Sequence, residues 1–99
     1  MKYRLILRER AIIEINDAYD WYEDKKEGLG ELFLEEFKEY AITIFKNPAS
    51  FRTTYKKFRE VPIKNFPFII VYFIDDRKNK IIIISVFHTS RNPKKKFRK

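Results

Sequence analysis

Phe66-Pro67-Phe68-Ile69-Ile70-Val71-Tyr72, a charged loop, and then Ile81 to Phe87 running into His88-Thr89-Ser90-Arg91-Asn92-Pro93 form the stretch on which the reading of this chain turns. Both runs are rich in β-branched and aromatic residues, and Asp75-Asp76-Arg77-Lys78-Asn79 between them has the composition of a hairpin turn. The spacing predicts strands over 66–74 and 80–88. The second strand delivers the sole histidine of the sequence to the edge of a basic tail. Both strands are apolar at both parities, Ile81 and Ile83 facing one way and Ile82 and Ile84 the other. An antiparallel sheet covered by helices on one side should be polar on the other. Either the connector and tail cover the second face, or a partner chain does, because monomers seldom expose a large contiguous apolar patch.

Upstream, Pro62 limits a strand near Tyr55 to Val61, since proline cannot donate to a ladder. Lys2 to Leu7 alternates, with Tyr3, Leu5 and Leu7 on one face, and reads as a first strand whose place in the sheet the sequence does not give. From Arg8 the period becomes helical, with Ala11, Ile12, Ile15, Ala18, Tyr19 and Tyr22 at steps of three and four and acidic residues on the remaining arc. A second stripe of Phe33, Phe37, Tyr40, Ala41, Ile44 and Phe45 begins near Gly30 and stops at Asn47-Pro48. The short Gly28-Leu29-Gly30 link makes the two helices an antiparallel hairpin. The expected fold is α+β: a helical hairpin packed on a mostly antiparallel four-stranded sheet, in the order βααβββ. Residues 1–99 read as one domain, with 92–99 a loose basic tail.

Charge is unevenly laid out. Residues 1–47 hold 8 basic and 11 acidic side chains, whereas residues 48–99 hold 14 basic and 3 acidic ones, out of a net charge of +8. The second half is suited to a negatively charged partner, nucleic acid or acidic protein. A membrane surface is the weakest of the candidates, as no basic amphipathic helix is present. No run reaches the roughly 20 apolar residues that span a bilayer, and no signal-peptide segment opens the chain, so a cytoplasmic location is expected. The absence of cysteine removes disulfides and thiolate chemistry, and one histidine cannot build a metal cluster; no metal and no cofactor are implied.

The candidate chemistry gathers around His88. Cleaving RNA by its own 2′-hydroxyl needs a proton acceptor, a proton donor and cations for the charge growing on the phosphate. His88 suits acid or base work, and Arg59 and Arg91 suit bidentate phosphate binding. Glu60, Tyr55 and Tyr72 are second proton carriers by type alone. Lys56 and Lys57, with Lys94, Lys95 and Lys96 of the tail, would contact phosphates without reading sequence. A lone histidine at a strand end is nonetheless more often a hydrogen-bonded structural ring. Trp21, Tyr19 and Tyr22 read as core and hairpin packing, with base stacking a minor alternative.

One ordered set of residues resembles a known family. Asp20-Trp21-Tyr22, Gly28-Leu29-Gly30, Phe33-Leu34, Asn47-Pro48, Arg59 ahead of Phe66-Pro67-Phe68, Val71-Tyr72, and Val86-Phe87-His88 followed by Arg91-Asn92-Pro93 together resemble the RelE/ParE toxins of type II toxin–antitoxin systems. The resemblance covers nearly the whole chain and implies a helical hairpin on an antiparallel sheet, growth inhibition, and neutralisation by a cognate antitoxin that wraps the toxin. RelE-like members cut messenger RNA on the ribosome without metal; ParE-like members inhibit DNA gyrase. RNA-cutting relatives commonly carry an arginine before the valine–tyrosine of the third strand and a tyrosine near the end of the last one. Phe68 and Thr89 stand at those positions here, while His88 matches a histidine that some of them use. The Phe66 to Phe68 and His88 to Pro93 segments are more similar to the ParE side. The expected function is therefore a ParE-like toxin, for which the resemblance offers DNA gyrase as one candidate target. A metal-independent, ribosome-dependent mRNA endoribonuclease using His88, Arg59 and Arg91 is the alternative, and a nontoxic nucleic-acid-binding module a third.

Overall fold

The computed structural model describes residues 3–90. Its elements run β1 (Arg4–Leu7), α1 (Glu9–Lys25), α2 (Leu29–Lys46), β2 (Thr53–Tyr55), β3 (Phe58–Pro62), β4 (Phe68–Asp75) and β5 (Lys80–His88). The two helices pack on one sheet of order β1-β5-β4-β3-β2. The sheet is antiparallel except at one edge, where β1 runs parallel to β5 from Arg4↔Lys80 to Leu7↔Ile83.

The fold is thus the expected α+β hairpin-on-sheet, with one strand more. The segment read as a single strand near Tyr55 to Val61 is a tight hairpin, in which Tyr55 pairs with Phe58 across Lys56 and Lys57. Lys56 adopts φ +53°, the left-handed region that two-residue hairpin loops require. No asparagine or glycine announces that turn, so the alternating pattern on either side reads as unbroken.

Helix α1 buries Ala11, Ile15, Ala18 and Tyr22, and α2 buries Gly30, Phe33, Phe37, Ala41 and Ile44. Ile12 and Phe45, placed in the apolar stripes by spacing, lie nearly half exposed. The link between the helices depends on Gly28, at φ +88°, and on Glu23. The Glu23 carboxylate accepts the N–H groups of Gly28 at 3.2 Å, Gly30 at 2.8 Å and Glu31 at 3.4 Å. A helix start leaves such donors without intrahelical partners, and a negative charge there also suits the helix dipole. One helix therefore caps the next.

Between helices and sheet lies the main core, with Phe33, Ile44, Ile70, Tyr72, Ile81 and Ile83 fully enclosed. A second cluster forms on the opposite face from Phe58, Val71, Phe73, Ile82 and Ile84, flanked by Ile6 and Ile69. Its five central residues are at most 6% exposed. The second apolar face is thus buried within the chain itself, and the partner that double-sided apolarity suggested is not needed to explain it. Lys57 contributes by laying its ammonium 4.2 Å from the ring centre of Phe73.

Tyr72 reaches out of the main core to donate a 2.6 Å hydrogen bond to the carbonyl of Pro48, pinning the chain just after α2. Burial pushes its phenol up to about 12, with Arg59 acting in the opposite sense. A phenol harder to ionise in the folded state contributes stability that is fully present below pH 10 and lost as pH rises toward 12. Tyr72→Phe should therefore flatten the fall in unfolding free energy between pH 10 and 12 measured by denaturant titration. An unchanged slope would show that the phenol ionises alike in both states.

Candidate functional site

Strand β1 ends opposite Ile83, its last backbone link being Arg8 N–H to the Ile83 carbonyl at 2.9 Å. β5 continues to His88 with only β4 beside it among the described strands. A cleft of about 350 Å³ opens there between α1 and the distal half of β5, lined by Glu14, Asp17, Trp21, Tyr22, Phe68 and His88 among others.

A β-bulge aims β5 into this cleft. Val71 pairs with Ser85 but Tyr72 pairs with Ile83, so Ile84 is an extra residue. Such an insertion shifts the alternation by one. Ile81 and Ile83 face the helices before it, and Val86 faces them after it. His88, opposite Phe68, follows Val86 onto the helix side. Glu14 secures the bulge: one carboxylate oxygen accepts Ser85 Oγ–H at 2.8 Å and Val86 N–H at 2.9 Å. Its other oxygen pairs with Arg10 Nε at 3.3 Å. Ser85 is completely buried, so this carboxylate satisfies polar groups that would otherwise be stranded.

The His88 ring meets Phe68 edge to face, with centroids 5.0 Å apart at 85°. Its Nδ1 accepts Ser90 N–H at 3.1 Å, and Ser90 Oγ stands 2.7 Å from the same nitrogen. On the α1 side, Trp21 is 56% exposed, with Lys25 Nζ 4.7 Å from its ring centre. This corrects the reading of Trp21 as core; its neighbour Tyr22 takes that role, packed against Phe33, Phe66 and Phe68. Burial raises the Tyr22 phenol above its ordinary value.

Arg59 is elsewhere. It pairs with Tyr72, four residues along β4 from the Phe68 that pairs with His88, and sits two strands from β5. Four residues of strand span about 13 Å. The Arg59 guanidinium turns to the connector after α2, donating to the carbonyl of Phe51 and, at 3.5 Å, to that of Ala49. The structure does not bring Arg59 and His88 to one phosphate-sized site. Lys56 and Lys57 are together at the β2–β3 turn, Lys56 Nζ 5.3 Å from the Tyr55 ring centre and Tyr55 stacked on Phe58. Glu60 lies beside Arg59 on β3, paired with Val71. Arg91, Lys94, Lys95 and Lys96 lie outside the described residues. Among the described residues no group of three or more His, Asp or Glu side chains could hold a metal ion, and no helix is long and apolar enough to cross a membrane.

Three lining residues, Glu14, Asp17 and Trp21, were legible only as polar or packing positions. Their three- and four-residue steps put them on one face of α1. That spacing was the available signal. Ser90 carried none.

A model of the ParE toxin of the type II toxin–antitoxin system parDE matches residues 5–93. The chain belongs to the ParE toxin family. Within the wider RelE/ParE group, solved structures share the fold at low identity. A chain of the chromosomal ParDE system of P. aeruginosa superposes with a TM-score of 0.75 at 14% identity, covering 87% of this chain and 95% of that one. The isolated E. coli RelE toxin gives 0.68 at 20% identity, covering 92% and 88%. An E. coli RelE double mutant in complex with a peptide of the antitoxin RelB gives 0.62 at 23% identity, covering 88% and 83%. No curated protein matches the sequence of this ParE-family chain.

Proposed function

We propose that this chain is a growth-inhibiting toxin neutralised by a cognate antitoxin, and that it acts as ParE-like toxins do, on a protein target, DNA gyrase, rather than by cutting RNA. The family match over residues 5–93 carries the reading. The separation of Arg59 from His88 supports it, since it takes Arg59 out of the phosphate site that the endoribonuclease reading assigned to it. So does the described lining of the cleft, where Asp17 opposes a polyanion and Trp21, Tyr22 and Phe68 suit a protein surface. Exposed apolar side chains on the helices, Ile12, Ile13, Leu32, Ile42 and Phe45, provide contact area for an antitoxin.

Expression of the chain alone should arrest bacterial growth, and co-expression of the short reading frame beside its gene should relieve the arrest. Supercoiling should be disturbed while transcripts stay intact. Ribosome-dependent cuts in messenger RNA, abolished by His88→Ala or Arg59→Ala with the fold retained, would replace this reading with the endoribonuclease. Undisturbed growth at high levels of soluble protein would remove both.

A further inference from the structure

The ring in the cleft is held by its own chain two residues on. A backbone amide can only donate, so the Ser90 N–H at 3.1 Å requires Nδ1 of His88 to offer its lone pair. A neutral imidazole carries one proton, which must then sit on Nε2. The opposite tautomer would set Nδ1–H against Ser90 N–H, donor to donor, with only Ser90 Oγ at 2.7 Å to receive it. Phe68 fixes the plane of the ring, and the bulge at Ile84 turns it to the helix side. No described residue bonds to Nε2.

A base acting through Nε2 needs that nitrogen unprotonated, which is the form the Ser90 amide opposes. A donor at Nε2 needs no rearrangement. Among the described residues the charged side chains lining the cleft are Glu14, which is paired with Arg10, and Asp17, so a neutral oxygen meets no like charge from them whereas a phosphate or carboxylate would face Asp17. We infer that Ser90 is a positioning residue that fixes His88 as a hydrogen-bond donor through Nε2, making the cleft a recognition site for a carbonyl oxygen of a protein partner. This rests on the proposed protein-directed action, and it specifies which group of the cleft reads the partner.

The tautomer can be observed directly by long-range proton–nitrogen correlation on the full chain, at a pH where the ring is neutral. The wild type and Ser90→Ala, which keeps the amide, should show the Nε2–H form. Ser90→Pro, which lacks the amide proton, should admit the Nδ1–H form, with the amide spectrum of the remaining chain confirming the fold. A predominantly Nδ1–H ring in the wild type, or a ring indifferent to Ser90→Pro, overturns the inference.

A second arm measures the level of chain needed to arrest growth. Gln places its amide N–H near the position of Nε2 and Asn nearer Nδ1, so His88→Gln should arrest growth at a lower level than His88→Asn. The difference should be on the order of tenfold in protein level, the worth of one hydrogen bond. The reverse ranking, or equal loss in both with the fold intact, counts against donation from Nε2. A wild-type chain that arrests nothing sinks the toxin reading, and the tautomer measurement still decides the role of Ser90.

Discussion

Phe33→Ala is expected to lower the unfolding free energy by about 3–5 kcal/mol, as deletion of a buried aromatic ring does when the surroundings cannot close over the gap. Phe33 is completely buried on α2 and contacts the rings of Tyr22, Phe66 and Phe68, with centroid separations between 5.2 and 5.7 Å. The cluster joins both helices to β4 and lies directly behind the cleft. At about 4–8 °C per kcal/mol for a domain of this size, the thermal midpoint should fall by at least about 12 °C. Trp21→Ala, at the exposed rim of the same region, should stay within about 0.5 kcal/mol. Equal losses in a calorimetric comparison of the two would mean that Trp21, not the Tyr22 side of the cluster, ties α1 to the sheet.

Gly30→Ala should also destabilise, by about 1–3 kcal/mol, even though alanine is the better helix former by nearly 1 kcal/mol. A Cβ at Gly30 would stand 2.7 Å from the Tyr19 carbonyl oxygen and 2.7 Å from Cγ of Glu23. The carbonyl is backbone and cannot step aside, and displacing Glu23 releases the carboxylate that caps the N-terminus of α2. The two helices would have to separate. A stabilised Gly30→Ala protein in denaturant titration would show that the hairpin has slack at its closest approach.

What could be read from the residues alone follows the reach of local rules. Strand β5 is apolar from Ile81 to Phe87 except at Ser85 and bounded by a charged turn, and its limits, Lys80 to His88, agree with expectation. The helical hairpin is legible because glycine and proline punctuate two amphipathic runs. The split of β2 from β3 was hidden, since Lys56 takes a left-handed conformation that the sequence does not advertise. So was the bulge at Ile84, which decides that His88 faces α1. A one-residue insertion is set by the pairing of two distant strands, and Val71 and Ser85 carry no mark of it. Arg59 is a candidate by type and because its strand belongs to the same sheet as His88. Its partners are carbonyls of the segment it folds against, which no pattern within β3 reveals.

The parallel pairing of β1 with β5 has a consequence for synthesis. The start of the sheet and its last strand are neighbours, and β5 fills the gap between β1 and β4. During translation the opening strand therefore waits through more than seventy residues for its mate, and such distant pairings are slow to form. A polypeptide interrupted before Lys80 lacks the strand that unites both edges and also lacks His88. Products that stop before Lys80 should therefore fail to become compact and, on the proposed function, should not arrest growth.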